Sequence, residues 1–170
     1  TNVESDTSET PENTLNVEKV ESGITSVEIN DEQTLPSILI SHTEEYPNEV
    51  ALRWKRNGVW REFTWEEYYQ NVEYITLGLQ ELGFSADDIL FTIGYNRPQQ
   101  TWAWLGAISL NGMAAPNYEE DHPEEIRKQL DRLKPSIAYA EDQQTVDKLI
   151  ETEAPYLDKI IYRDPKGLSQ

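Results

Sequence analysis

The chain contains two histidines, and histidine is the side chain that most readily exchanges a proton near neutral pH. Nucleophilic catalysis of the triad kind needs such an imidazole beside a Ser or Thr hydroxyl and a carboxylate. His42 falls beside the apolar face of a predicted helix, and His122 falls at the start of another. These positions are typical of structural or surface histidines, so we predict no catalytic histidine.

Carboxylates are the most abundant groups that could perform acid–base or metal chemistry. The acids that stand next to one another are Asp87 and Asp88, Glu119, Glu120 and Asp121, and Glu124 and Glu125. Among 32 acidic residues such neighbours arise by chance, and they suit solvated turns and helix amino-termini. The chain has no Cys, which excludes thiolate catalysis, disulfides and Cys-based zinc sites. It also lacks the residue spacing of an EF-hand calcium loop. We predict neither a catalytic carboxylate nor a metal site.

Phosphate-binding loops would show as closely spaced glycines between a strand and a helix. The eight glycines contain no G-x-G-x-x-G spacing and no Gly-Lys followed by Ser or Thr. Gly94 and Arg97 precede a predicted helix that begins at Pro98, so they could contact an anion at its amino-terminus. The favoured alternative is a tight turn with Arg97 on the surface. We predict no cofactor-binding residue.

Hydrophobic periodicity predicts the elements that must position these residues. Asn57-Gly58 separates two alternating segments, 50–56 and 59–63, and predicts a β-hairpin because both turn positions need positive φ. After the hairpin, amphipathic stretches alternate with short apolar segments in the order α-β-α-β-α-β-α-β. The predicted fold class is α/β, an open, mostly parallel sheet with flanking helices plus an N-terminal β-hairpin.

Local signals give the expected bounds of the elements. Thr34-Leu35-Pro36 predicts the start of a first helix, and Thr64 with Glu67 forms a capping box that begins a second, which Gly83 ends. The second helix carries an apolar stripe of Tyr68, Val72, Ile75, Leu79 and Leu82. Three further helices are predicted to begin near residues 98, 123 and 143, the first of them ending near 111. Strands are predicted at 89–93, 114–118, 136–140 and 159–162.

Residues 1–33 differ in composition from the rest of the chain. They contain nine acidic residues, one Lys and no aromatic residue. Such a segment buries too little apolar surface to offset its ordering entropy. We predict a flexible acidic tail at 1–33, with a short extended piece at 24–29, and a folded domain at 34–170. An arm that docks a partner is the alternative for the tail.

The formal net charge of the chain is -18. A surface of this charge repels phosphate backbones and anionic membranes, so no nucleic-acid partner is predicted. No apolar run reaches the roughly 20 residues that a transmembrane helix needs. No signal peptide is visible, so the expected location is the cytoplasm, with peripheral membrane association left open for a longer parent protein.

Five tryptophans stand out in a chain of this length. Trp54, Trp60 and Trp65 lie in or beside the hairpin, whereas Trp102 and Trp104 lie on one predicted helix. Aromatic pairs across strands stabilise hairpins, so a core role is the first expectation. Exposed hairpin aromatics would instead form an interface through which a homo-oligomer assembles.

Several segments, in this order, carry a resemblance to a known family: TLPSILISHTEEYPNEVALRW, GVWREFTWEEYYQNVEYITLGLQELGF, DDILFTIGYNRPQQTWAWLGAISLNGMAAPNYEEDHPEEI, AYAEDQQTVDKL and IIYRDPKGL. Over about four-fifths of its length the chain resembles the N-terminal part of AMP-forming acyl-CoA synthetases, particularly the long-chain fatty-acid–CoA ligases.

Two places depart from the family's pattern. Gln99-Gln100 stand where an acid and often an aromatic residue follow Asn-x-Pro, and 119–121 are acidic where small or hydroxyl residues are common.

The resemblance implies a two-step reaction, in which ATP and a carboxylic acid form an acyl-adenylate and a thiol then takes the acyl group. It implies ATP, Mg and CoA for a full-length parent. In family members the phosphate loop, the aromatic-Gly-x-Thr-Glu motif, the ribose-binding Asp and the mobile C-terminal Lys lie downstream of the matched region. The chain is therefore expected to be truncated before the phosphate loop and to contain no catalytic, cofactor-binding or metal residue. The missing remainder of the enzyme is its expected partner.

Three hypotheses stay open at this point. The favoured one is an N-terminal fragment of an ATP-dependent long-chain fatty-acid–CoA ligase, inactive by itself. The second is a stand-alone, non-catalytic binding or scaffold module derived from that fold, and the third is an unrelated small α/β ligand-binding domain. Acyl-chain length is not predicted, because the resemblance places the selectivity pocket largely downstream.

Overall fold

The structure is a computed structural model that describes residues 33–167. By its internal contacts the chain divides into two units, Thr1–Gln33 and Thr34–Gln170, and every element described below lies in the second. The acidic tail and the extended piece at 24–29 lie outside the described residues, Gln33 excepted.

The described residues form five helices and six strands in the order that the sequence predicts. These are α1 (Leu35–Glu45), β1 (Val50–Arg56), β2 (Val59–Thr64), α2 (Trp65–Glu81), β3 (Ile89–Ile93), α3 (Pro98–Ser109), β4 (Met113–Asn117), α4 (Pro123–Leu133), β5 (Ile137–Ala140), α5 (Gln143–Glu151) and β6 (Lys159–Tyr162). Strands β2, β4 and β5 differ from the predicted bounds by one residue at one or both ends. Helix α3 ends earlier than predicted, because Asn111 turns the chain with a φ of 60°.

Local chemistry explains where three of the helices begin. The hydroxyl of Thr34 accepts from the backbone N–H of Ser37, and the hydroxyl of Thr64 accepts from that of Glu67. In each case the side chain three residues on bonds back to the cap, which completes the predicted capping box at Thr64 and forms a second one at Thr34. Asp142 caps α5 in the same way. The predicted stripe of α2 faces inward, with Val72 and Leu79 fully buried.

Strands β1 and β2 form the predicted antiparallel hairpin. Asn57 and Gly58 have φ values of 50° and 81°, the positive angles that a two-residue turn of this kind requires. At the base of the hairpin Phe63 lies half-buried and packs edge-on against Trp102 of α3, with ring centroids 5.3 Å apart. The hairpin is thereby attached to the helical layer through its base.

The other four strands form one parallel sheet in the order β4-β3-β5-β6. Along β3 the side chains alternate between two cores. Phe91 and Ile93 belong to a core that also contains residues of α4 and α5, whereas Leu90 belongs to one that contains residues of α2 and α3. Pro116 is tolerated in β4 because that strand lies at the edge of the sheet. The predicted fold class is confirmed.

Candidate functional site

The carboxyl ends of the four parallel strands meet at one edge of the sheet, which we call the carboxyl edge. Helix α3 leads from β3 outward to β4, and α5 leads from β5 outward to β6 on the other side. The chain thus diverges between β3 and β5, and open α/β sheets bind ligands at such a point. Gly94 follows β3 and Glu141 follows β5, so these two residues mark the candidate site.

Glu141 is a fully buried carboxylate held between two arginines. Its Oε1 lies 3.0 Å from Nε of Arg97 and 2.6 Å from Nε of Arg163. Arg163 directly follows β6, so the three residues belong to the connections after three different strands. A buried charge is costly unless it is paired, and here two cations surround one anion. This cluster of Arg97, Glu141 and Arg163 is called the ionic triad below.

Gly94 permits the close approach of Glu141 to the turn after β3. A Cβ atom at position 94 would lie 2.8 Å from Cβ of Glu141, closer than two carbon atoms tolerate. The buried amide of Gln100 faces the carbonyl oxygens of Gly94 and Tyr95, and its nitrogen, assigned from these acceptors, donates to both. The point of divergence is therefore filled by the chain's own side chains.

Two buried oxygen atoms near the ionic triad have no hydrogen-bond partner among residues 33–167. They are Oε2 of Glu141 and the hydroxyl of Tyr139. Burial raises the pKa of the Tyr139 phenol, and the negative charge of Glu141 raises it further because it repels the phenolate. Tyr139 therefore stays neutral and is not suited to act as a base.

Arg97 connects the ionic triad to the hairpin. Its guanidinium lies 5.7 Å from the ring centroid of Trp54 in β1 and 5.2 Å from that of Tyr95. The side chain is 28% exposed, so the expectation of Arg97 on the open surface is wrong. The ion pair with the buried carboxylate of Glu141 and the cation–π contacts with the two aromatic rings account for the position of Arg97. The arrangement braces the connections after β3, β5 and β6 against the hairpin.

The two histidines belong to different parts of the helical packing. His42 on α1 stacks on Trp65, with ring centroids 4.7 Å apart, and α1 packs with α2 and α3. His122 is the exposed N-cap of α4, whose apolar side chains belong to the other core. His42 is thus engaged in an aromatic stack, and His122 lies on the surface, in agreement with the structural or surface roles expected from the sequence.

The neighbouring acids occupy turns and helix amino-termini, as their sequence positions suggest. Asp87 has a positive φ, and Asp88 accepts from the backbone N–H of Ser85 at 2.7 Å. Glu124 and Glu125 lie in the first turn of α4. Among residues 33–167 no three His, Asp or Glu side chains come together in a way that could hold a metal ion.

Four of the five tryptophans are at least half-buried. Trp102 is in the core, and Nε1 of Trp104 donates to the buried hydroxyl of Thr92 at 2.8 Å. Trp60, at 61% exposure, is the exception. The expected core role is therefore confirmed for Trp102, while Trp54, Trp65 and Trp104 are partly buried and Trp60 is the exposed aromatic of the hairpin.

An apolar cavity of about 240 Å³ lies on the α2 side of the sheet. Gly78, Leu90 and Ile161 are among its lining residues, and the lining contains no charged side chain. Such a cavity accepts an apolar group and offers no charged group to orient a phosphate or a carboxylate.

In residues 33–167 no helix is long and apolar enough to cross a membrane.

Sequence reasoning missed Glu141 and Arg163. Each directly follows a predicted strand, at 136–140 and 159–162. The carboxyl ends of parallel strands share one edge, so the sequence places these two residues at the same edge as Gly94 but does not show which strands are neighbours. The opposite charges that directly follow two predicted strands were the available signal.

Comparisons with known proteins agree with this fold. The family model for AMP-binding enzymes matches residues 40–168. The chain is 27% identical over 135 residues to the long-chain-fatty-acid–CoA ligase heimdall of Drosophila melanogaster. The aligned part makes up 76% of this chain and 20% of that protein. It is 25% identical over 146 residues to the long-chain-fatty-acid–CoA ligase ACSBG2 of Xenopus laevis, over 81% of this chain and 20% of that protein.

Among solved structures, the anthranilate CoA ligase AuaEII in complex with anthranoyl-AMP superposes with a TM-score of 0.68 at 17% identity, over 75% of this chain and 24% of that one. This likeness shows a shared fold. The chain spans about a fifth of the length of the curated relatives it matches. Because the family model matches most of its residues, the chain belongs to the AMP-binding, adenylate-forming enzyme family.

Proposed function

We propose that the chain forms the N-terminal framework of an ATP-dependent, AMP-forming ligase, which converts a long-chain fatty acid to its acyl-CoA through an acyl-adenylate. The observation that carries this proposal is the family match over residues 40–168 in a chain that spans about a fifth of its curated relatives. The ligation consumes ATP and CoA, which fits the cytoplasmic location that we also propose.

The long-chain substrate rests on the relatives in sequence. Both curated relatives described above are named long-chain-fatty-acid–CoA ligases. The solved structure of similar fold is an anthranilate CoA ligase, so the fold by itself is compatible with other carboxylic acids. A long-chain acid is therefore the substrate class that the sequence comparison favours.

The residues at the carboxyl edge do not fit a bound nucleotide. Glu141 is fully buried and lies so close to Gly94 that a Cβ at position 94 would be 2.8 Å from Cβ of Glu141, so this point between β3 and β5 is already filled. The two arginines at this edge, Arg97 and Arg163, are already paired with Glu141. We therefore assign the ionic triad a bracing role, and we derive no catalytic step from this chain.

A full reading frame tests the proposal. If the reading frame continues past Gln170, the longer protein is expected to form acyl-CoA from a long-chain acid, ATP and CoA, whereas residues 1–170 alone are expected to form none. A stop codon directly after Gln170 would contradict the proposal and favour a stand-alone binding module. Failure of the longer protein with every chain length of fatty acid would refute the substrate class.

A further inference from the structure

The hairpin differs in charge from the rest of the chain. Residues 50–64 contain four basic residues and one acid, in a chain of net charge -18. The basic residues are Arg53, Lys55, Arg56 and Arg61, and the acid is Glu62. All five side chains are exposed. The hairpin is therefore a positive region on a strongly negative molecule.

Part of this charge is neutralised within the hairpin. Arg53 and Glu62 stand opposite each other and form an ion pair of 2.7 Å. The structure shows no ion pair among residues 33–167 for Lys55, Arg56 or Arg61. Three cations around the tip of the hairpin are thus available to an anionic partner.

The same tip exposes two large apolar side chains. Val59 is 64% exposed and Trp60 is 61% exposed. They are adjacent in β2, so they project from opposite faces of the hairpin. Val59 lies opposite Arg56, and Trp60 lies opposite Lys55, whose Nζ is 5.7 Å from the indole ring. Each apolar side chain is therefore accompanied by a cation.

This placement limits how the tip can be covered. A protein surface against which the hairpin lay flat would bury one face and leave the other apolar side chain in water. If the tip instead enters a medium end-on, that medium surrounds the tip and buries both apolar side chains. The base of the hairpin is fixed by Phe63 against Trp102 and by Trp54 beneath Arg97, so the tip is presented by a rigid support.

We propose that the tip of the hairpin docks end-on in an anionic lipid surface. Val59 and Trp60 enter the headgroup region, where tryptophan side chains concentrate, and Lys55, Arg56 and Arg61 contact acidic headgroups. The net charge of the chain opposes this only weakly, because charges beyond a Debye length of about 8 Å are largely screened at physiological salt. The charge at the point of contact decides the outcome.

A nucleic acid is the competing anionic partner, and the geometry fits it less well. Proteins hold a nucleic-acid strand along a basic groove lined with stacking aromatic side chains. Here the unpaired cations surround one projecting tip, and the aliphatic Val59 gains nothing from stacking. A lipid surface uses both the cations and the aliphatic side chain.

Vesicle sedimentation of the 170-residue chain tests the charge component. The chain should bind vesicles of phosphatidylcholine and phosphatidylserine in a three-to-one ratio, and it should bind phosphatidylcholine alone weakly. Lys55→Glu with Arg61→Glu should weaken binding by about tenfold or more. Lys128→Glu with Arg132→Glu, the same charge change on the exposed surface of α4, should cause a much smaller loss.

A second pair of variants tests the apolar component. Val59→Ser with Trp60→Ser should weaken binding to the mixed vesicles by about tenfold or more, since affinity scales with the apolar area that is buried. Tyr74→Ser with Leu77→Ser, which changes two exposed apolar residues of α2, should leave binding unchanged. Far-ultraviolet circular dichroism of each variant confirms that the fold is kept.

Three results would overturn the inference: no binding to the mixed vesicles, equal binding to both kinds of vesicle, or equal losses in hairpin and control variants. Tighter binding of a single-stranded oligonucleotide than of vesicles would also overturn it. The assay contains no ATP, CoA or fatty acid, so its outcome is independent of the proposed ligase function.

Discussion

Nε of Arg163 lies 2.6 Å from Oε1 of Glu141, a carboxylate with no exposed surface. The backbone reinforces this contact, because the N–H of Asp164 donates to the carbonyl of Glu141 at 3.2 Å. The end of β6 is thereby tied to the end of β5 through both side chain and main chain. Arg97 pairs with the same carboxylate from the other side, so the connections after β3, β5 and β6 are all held by Glu141.

Removing the charge of Glu141 should be strongly destabilising. Glu141→Gln leaves Arg97 and Arg163 without their shared anion, and breaking a buried ion pair costs about 3 kcal/mol or more. Urea denaturation measures the loss in free energy of unfolding. Arg53→Gln, which breaks the exposed pair with Glu62, should cost less than about 1 kcal/mol. Equal losses in the two variants would show that the ionic triad has no special role.

The same substitution should have opposite effects at two glycines. Gly94→Ala places a Cβ 2.8 Å from Glu141 and should destabilise by about 1–3 kcal/mol through overpacking. Gly78→Ala, in the exposed interior of α2 with no atom within 4 Å of the new Cβ, should stabilise by about 0.5–1 kcal/mol. Thermal unfolding of both variants checks the signs. A stable Gly94→Ala protein would mean that Glu141 can move away.

The Tyr156 hydroxyl should control the acid titration of Asp131. It donates to Oδ1 of Asp131 at 2.7 Å and, with Arg127, lowers the pKa of that carboxyl below 3.8. A carboxyl with a lowered pKa stabilises the fold above its unfolded value, and this contribution is lost as the pH falls through the folded value. Tyr156→Phe should therefore raise the pKa of Asp131 toward 3.8, and its stability deficit should shrink in more acidic solution.

Carboxyl carbon NMR measures the pKa of Asp131 directly. Tyr74→Phe, at an exposed tyrosine of α2, serves as the control and should leave that pKa unchanged. If Tyr156→Phe also leaves it unchanged, the hydrogen bond contributes nothing to the charged form. Burial of the phenol and, next, its hydrogen bond to Asp131 raise the pKa of Tyr156 to about 12.

Thr92→Val should remove the acceptor of the Trp104 indole N–H without changing the size of the buried side chain. Thr92 is fully buried, and its hydroxyl lies 2.8 Å from Nε1 of Trp104. An unsatisfied buried donor costs about 1–3 kcal/mol. Ser41→Ala, which removes an exposed hydroxyl bonded within α1, should have almost no effect on the free energy of unfolding. Equal losses in the free energy of unfolding for the two variants would show that the hydrogen bond between Trp104 and Thr92 adds no stability.

Local signals made most of the fold predictable from the sequence. The Asn57-Gly58 turn and the caps at Thr34 and Thr64 each depend on residues within three positions of one another, so their geometry is encoded locally. The alternation of helices and strands after the hairpin then predicted a parallel sheet. The strand order β4-β3-β5-β6 depends on packing between distant segments and was not predicted.

The ionic triad could not be predicted in the same way. Its members are separated by 44 and 22 positions along the chain, so only the sheet brings Arg97, Glu141 and Arg163 together. Reading Arg97 locally, as a turn residue, placed it on the surface. The exposure of Trp60 likewise depends on which face of the hairpin packs on α3, and alternation alone leaves the two faces equivalent.

We propose that this chain is framework and that adenylation needs residues outside it. ATP–pyrophosphate exchange in the presence of a long-chain fatty acid measures adenylation itself. We expect exchange by the protein of the full reading frame and none by residues 1–170. Exchange activity that co-purifies with the 170-residue chain, or no exchange by the longer protein, would refute this proposal.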